Sequence, residues 1–169
     1  VDLWPYCFSI PYPHIHNRDP FQSHPEPGNA PLSHATRRTV LICSTLLASW
    51  LGMQAIHEFG HVAGAWLTGG QVGQVVLNPL TISRTDLSQN PRPLIVVWAG
   101  PLVGVLVPLL FWGLAAAARL SFAFVLRFFA GFCLLANGVY LAIGSFDRVG
   151  DCGDILRLGS TRWQLWLFG

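Results

Sequence analysis

Three long apolar segments constrain the fold of this chain more than any other feature. They run from about Thr39 to Leu67, from about Leu94 to Ala118 and from about Leu120 to Ile143. Each exceeds the ~20 residues a helix needs to cross a ~30 Å hydrocarbon core. Hydrocarbon offers backbone N–H and C=O groups no partners, so such segments must be helical. Composition agrees: charged residues make up 11% of the chain, against about 25% in a soluble domain. The expected fold class is an all-α integral membrane protein with three transmembrane helices. Only Arg119 and its neighbours part the second run from the third, which predicts a tight helical hairpin.

The rest of the chain divides around these runs. Seven of the twelve prolines lie in residues 1–36, with His14, His16, His24 and His34. Proline at that density opposes helix and sheet ladders, so residues 1–38 are expected to form a flexible Pro/His-rich arm. Its irregularly spaced histidines read as solvated loop residues. Position 1 is Val, and no basic stretch followed by an apolar core opens the chain, so no signal peptide is expected there. Residues 39–169 are expected to be the membrane-embedded domain. Between its first two spans, GGQVGQVVLNPLTISRT combines Gly punctuation with β-branched alternation, which predicts a short β-hairpin or re-entrant strand pair. After the third span, GSFDRVGDCGDILRLGS reads as a Gly/Asp turn leading into a short helix. The aromatic tail TRWQLWLFG either lies at the interface or begins a fourth span.

Charge and cysteine usage narrow the partners. Net charge is +2 and all ten basic residues are Arg, dispersed along the chain. No basic stripe forms, so no nucleic acid is expected. Cys43 and Cys133 sit in apolar runs and no CxxC pair occurs; they read as small buried hydrophobes. Arg84, Arg92, Arg148, Arg157 and Arg162 fall on one side of the spans, and Arg37, Arg38 and Arg119 on the other. The positive-inside bias favours the first group as cytoplasmic.

The first span carries chemistry. It contains His57, Glu58 and His61, reading H-E-F-G-H. A charged side chain near a bilayer centre costs at least ~2.5 kcal/mol, so such residues persist when paired, hydrated or bound to metal. Positions 57 and 61 lie one helical turn apart and project from one face. That spacing suits two imidazole ligands of one Zn²⁺, with Glu58 beside them to take a proton from water. By simple counting, the three specified residues would match by chance in about one chain in fifty of this length. The match inside an apolar helix is rarer still.

Two ligands leave a catalytic zinc site one short. A downstream Glu is excluded, because Glu26 and Glu58 are the only two glutamates. The extended pattern HExxHxxGxxH fails as well: Gly64 matches, but Leu67 stands where the last His is required. Asp147, Asp151 and Asp154, just after the third span, remain.

Over about residues 50–157 the chain resembles the site-2 protease family of intramembrane zinc metallopeptidases. The resemblance rests on HEFGH in an apolar helix, on WAGPLVG (Trp98 to Gly104) opening the next span, and on Asn137 late in the third span ahead of an Asp-containing turn. The family's LDGGRIL motif aligns its DGGRIL with Asp151-Cys152-Gly153-Asp154-Ile155-Leu156. Here Asn137 is followed by Gly138 instead of Pro, and the interval to the Asp is longer. The resemblance implies Asp151 as the third zinc ligand, with Asp154 next and Asp147 after it. It also implies that Asn137 holds substrate or polarises its carbonyl. It further implies one zinc ion per chain and peptide-bond hydrolysis of membrane-spanning substrates, with Glu58 as general base. The expected location is a prokaryotic cell membrane. The alternative is a catalytically inactive, metal-binding membrane scaffold of the same fold, against which the intact Glu58 argues. Four smaller features accompany the motif. Gly60/Gly64 and Gly100/Gly104 predict close helix packing, Gln54 precedes Glu58 by one turn, and Arg127 is expected to snorkel or to face a polar cavity.

Overall fold

The computed structural model describes residues 33–169. Residues 1–32, with most of the expected arm and His14, His16 and His24, lie outside the described residues. The elements follow in the order α1 (His34–Leu67), β1 (Gln71–Val76), β2 (Arg84–Gln89), α2 (Pro93–Ala117), α3 (Ala123–Asp147), α4 (Asp151–Arg157) and α5 (Arg162–Phe168). Only α1, α2 and α3 of these are long and apolar enough to cross a membrane. The described residues are thus mostly helical, with three candidate membrane spans and a two-stranded sheet between the first and the second.

α1 has 34 residues, a length of ~51 Å at ~1.5 Å per residue. It begins ahead of the apolar run because the Ser33 side chain accepts the Thr36 N–H and caps it. Residues 34–38, grouped with the arm by composition, therefore form its first turn. Its first half exposes Val40, Leu41, Ile42, Leu46 and Leu47, as a lipid-facing surface does. Its second half buries Met53, His57, Gly60, His61 and Gly64, a helical stripe turned toward α2.

Gly60 lets α1 and α2 meet backbone to backbone. A Cβ there would strike Ala99 O and lie 2.8 Å from Gly100 Cα. A Cβ on Gly100 would in turn strike the His61 ring. Small residues thus bring α2 against the face that carries the motif. Pro93 occupies the first turn of α2, where no donor is lost. Pro101 and Pro108 lie inside the helix and are fully buried, as packed membrane helices tolerate.

β1 and β2 pair antiparallel, from Gln71 opposite Gln89 to Val76 opposite Arg84, with irregular register near Val72. On the same side of the molecule α4 and α5 fold back against α2 and α3. Val97, Leu141, Cys152, Ile155 and Leu165 form one buried cluster there, covered by Trp98, Tyr140, Leu156 and Phe168. α5 has seven residues, ~10 Å of helix, and packs against α3. Its Trp166 indole donates to Ser145 Oγ at 3.0 Å.

Candidate metal centre

His57 lies ten residues before the C-terminal end of α1, a depth of ~15 Å along the helix. Three elements converge at that level. α1 supplies His57 and His61, α3 supplies Asn137 ten residues before its own end, and the N-terminus of α4 supplies Asp151. The α4 core cluster holds Asp151 in place, and the Tyr140 hydroxyl accepts the Asp151 backbone N–H at 3.0 Å.

Each imidazole is oriented by a hydrogen bond at its rear nitrogen. His61 Nδ1 lies 2.9 Å from Val96 O. A carbonyl only accepts, so His61 carries its proton on Nδ1. His57 Nδ1 lies 2.8 Å from Asn137 Oδ1. Asn137 Nδ2 donates to Cys133 O at 2.9 Å, which makes Oδ1 the atom facing His57 and places the His57 proton on Nδ1 as well. Asn137 is 1% exposed, and both ends of its carboxamide are engaged within the protein. A Cβ on Gly104 would lie 3.0 Å from that carboxamide, so α2 closes over it.

Both Nε2 lone pairs then face inward, 3.2 Å apart. Asp151 Oδ2 lies 2.8 Å from His57 Nε2 and 3.3 Å from His61 Nε2. Two lone pairs and a carboxylate oxygen at such spacing repel unless a cation lies among them. Tetrahedral Zn²⁺ with bonds of about 2.0–2.1 Å sets its ligand atoms about 3.3 Å apart. The two edges from His61 match that value, and the His57–Asp151 edge is at hydrogen-bond length. His57, His61 and Asp151 form the one group of three metal-ligating side chains among the described residues. Burial pushes the Asp151 carboxyl up, but the facing His57 and His61 rings, by hydrogen bonding and by charge, more than offset this and hold it well below the usual carboxylate range.

The other two aspartates stand apart. Asp147 ends α3 and is exposed. Asp154 pairs with Arg157 and, although it lines the same cavity, lies outside the ligand group. Glu58 is 3% exposed and shares with the cluster a cavity of ≈ 690 Å³, also lined by Gln54, Asn137 and residues 82–87. Its carboxylate accepts from Ser83 Oγ and Thr85 Oγ1, each at 2.7 Å. Sequence reasoning did not single out these hydroxyls, Tyr140 or the Val96 carbonyl. The signal for Ser83 and Thr85 was present as two hydroxyls two residues apart where the chain enters a predicted strand, a spacing that sets them on one face.

Three apolar helices closing around a buried His/His/Asp cluster define a membrane-embedded protein with a candidate metal site. The Peptidase M50B-like family model matches residues 35–143, more than half of the chain. The chain therefore belongs to the Peptidase M50B-like family, a site-2 protease family domain. The matched stretch contains His57, Glu58, His61 and Asn137 and ends before Asp151. The chain matches no curated protein and no solved structure.

Proposed function

We propose that the protein is an intramembrane zinc metalloendopeptidase that hydrolyses peptide bonds of membrane-spanning substrates. The observation that carries this reading is the convergence of His57 Nε2, His61 Nε2 and Asp151 Oδ2 beside the buried carboxylate of Glu58. Membership of a peptidase family supports it.

His57, His61 and Asp151 would hold the ion, leaving a position open. Zinc supplies Lewis-acid activation of water and of the scissile carbonyl when bound. Glu58 takes the proton of the attacking water and passes it to the amide nitrogen as the C–N bond breaks. Two hydroxyl donors occupy Glu58, and a carboxylate has about four lone-pair sites, so acceptor capacity remains for that proton. Asn137 and the Val96 carbonyl keep both ring nitrogens aimed inward. The carbonyls of a helix are engaged in its own backbone hydrogen bonds, so a substrate helix must unwind locally to expose one to the site.

The test pairs zinc content with cleavage of a library of quenched-fluorescent apolar peptides in proteoliposomes, for wild type and Glu58→Gln. Stoichiometric zinc in both, with turnover lower by about 10²–10⁴-fold in Glu58→Gln, is the expected result for loss of a general base. Equal turnover in the two proteins refutes the assignment of Glu58. Zinc without any wild-type cleavage favours the scaffold reading.

A further inference from the structure

The segment joining β1 to β2 runs alongside α1 and is tied to it at three levels. Trp50 Nε1 donates to Pro79 O at 3.1 Å, and Gln54 Nε2 donates to Thr81 O at 3.0 Å. Glu58, the next residue of the series, accepts from Ser83 and Thr85. Trp50, Gln54 and Glu58 are spaced by four residues and share one helix face. Pro79 lies in a turn and Thr81 in a bend; from Ser83 the limb leads into β2, and Ser83 and Thr85, two residues apart, share one edge.

The last level differs from the first two. It joins side chain to side chain, and both partners on the limb are hydroxyls. Ser83 is buried at 8% exposure and Thr85 is half-buried, whereas Arg84 and Asp86 between and beyond them face outward and pair with each other. One hydroxyl donates to Oε1 and the other to Oε2. A glutamate has three side-chain torsions and samples several staggered rotamers when nothing holds it. Charge-assisted bonds to both oxygens select a single one.

We propose that Ser83 and Thr85 are positioning residues for Glu58: the limb returning from the hairpin fixes the carboxylate in the orientation that proton transfer requires. The inference rests on the reading of Glu58 as general base. It makes the hairpin part of the catalytic apparatus, although neither hydroxyl touches the ligand cluster.

The test compares Ser83→Ala, Thr85→Ala and the double variant with the hydroxyl-preserving Ser83→Thr and Thr85→Ser, in the full chain in proteoliposomes. A general base contributes about 10²–10⁴-fold, so loss of its positioning should lower kcat about tenfold per alanine and about a hundredfold in the double variant. KM and zinc content should stay at wild-type values, and the two hydroxyl-preserving variants should keep kcat. Amide hydrogen exchange over residues 79–83 should rise in the double variant, with or without zinc. Undiminished kcat, a change confined to KM, unaltered exchange, or equal losses in the hydroxyl-preserving variants each overturn the proposal. If the double variant does not fold, Thr85→Ala, at the more exposed position, decides on the same readouts. Glu58→Gln separates the two readings. Its retention of activity means the base is misassigned, whereas an inactive Glu58→Gln beside a fully active double alanine variant means the positioning role is.

Discussion

Asn137→Leu separates a role on the metal from a role on the substrate. Asn137 Oδ1 is the partner of His57 Nδ1. Leucine has similar bulk and no acceptor, so it leaves that N–H buried without a partner. Such an orphan costs about 1–3 kcal/mol. The cost falls unequally on the two states of the site. Without metal, His57 moves its proton to Nε2, where Asp151 Oδ2 accepts it at 2.8 Å. Loading zinc forces the proton back to Nδ1, so the penalty enters the affinity. At about 1.4 kcal/mol per tenfold, zinc Kd should rise about 5- to 150-fold, close to the 10–100-fold typical when a ligand histidine loses its orienting partner. Asn137→Asp keeps the acceptor toward His57 and should retain the affinity, but it sets a second acceptor against Cys133 O in a buried site and should destabilise the fold. Chelator competition on purified protein in detergent measures Kd, with turnover at saturating zinc in parallel. Wild-type zinc affinity in Asn137→Leu with cleavage abolished would falsify this account. That outcome would return Asn137 to the substrate-binding role implied by the resemblance.

Three further outcomes follow from the same geometry. Asp151→Asn should abolish stoichiometric zinc binding while Asp154→Asn leaves it intact, because Asp154 pairs with Arg157 and lies outside the ligand group; metal analysis of the two purified variants decides. Ile155→Ala should destabilise the fold by about 2–5 kcal/mol, as truncation of a buried aliphatic side chain does, since Ile155 is 0% exposed and anchors α4. Zinc content should fall with the melting temperature, and a stable variant lacking α4 order but retaining zinc contradicts it. The third concerns pH. The folded pKa of Asp151 is depressed, so its stabilising contribution is complete above the unfolded value of about 3.9 and is lost only as pH falls through the lower folded value. Zinc release should therefore not follow protonation of the Asp151 carboxyl in the ordinary carboxylate range. A release curve that follows a single carboxyl near pH 4 contradicts this.

The spans were legible because membrane helices are set by local properties. A run of apolar residues needs no distant partner to become a helix in hydrocarbon. The hairpin was equally local, since Gly69, Gly70 and Gly73 with Val72, Val75 and Val76 carry the turn and strand signals. What escaped depended on capping and register. α1 starts at His34 because a Ser33 side chain bonds to the third residue after it, a contact that hydropathy does not register. The path of residues 79–85 along α1 escaped for a similar reason. Two of its three ties are made by backbone carbonyls, which every residue has, so composition carries no trace of them.

The site divides along the same line. His57, Glu58 and His61 were legible because four residues along a helix set two imidazoles on one face whatever the rest of the chain does. Asp151 lies ninety residues beyond His61 in the chain, so its nearness is a tertiary fact. Sequence alone left three aspartates open, and only the resemblance ordered them. The structure sorts them by packing: burial of Cys152 and Ile155 turns one face of α4 into the core, and that rotation carries Asp151 inward while Asp154 reaches Arg157. Asn137 was found by likeness, yet its orientation is decided by Cys133 O and by the closeness of Gly104. Positions that supply chemistry can thus be read from spacing, whereas the groups that aim them — a carbonyl on α2, an amide on α3, two hydroxyls on the hairpin limb — come from three other elements. Aim is a property of the assembled fold, and variants that spare the ligands while altering those partners are the ones that test it.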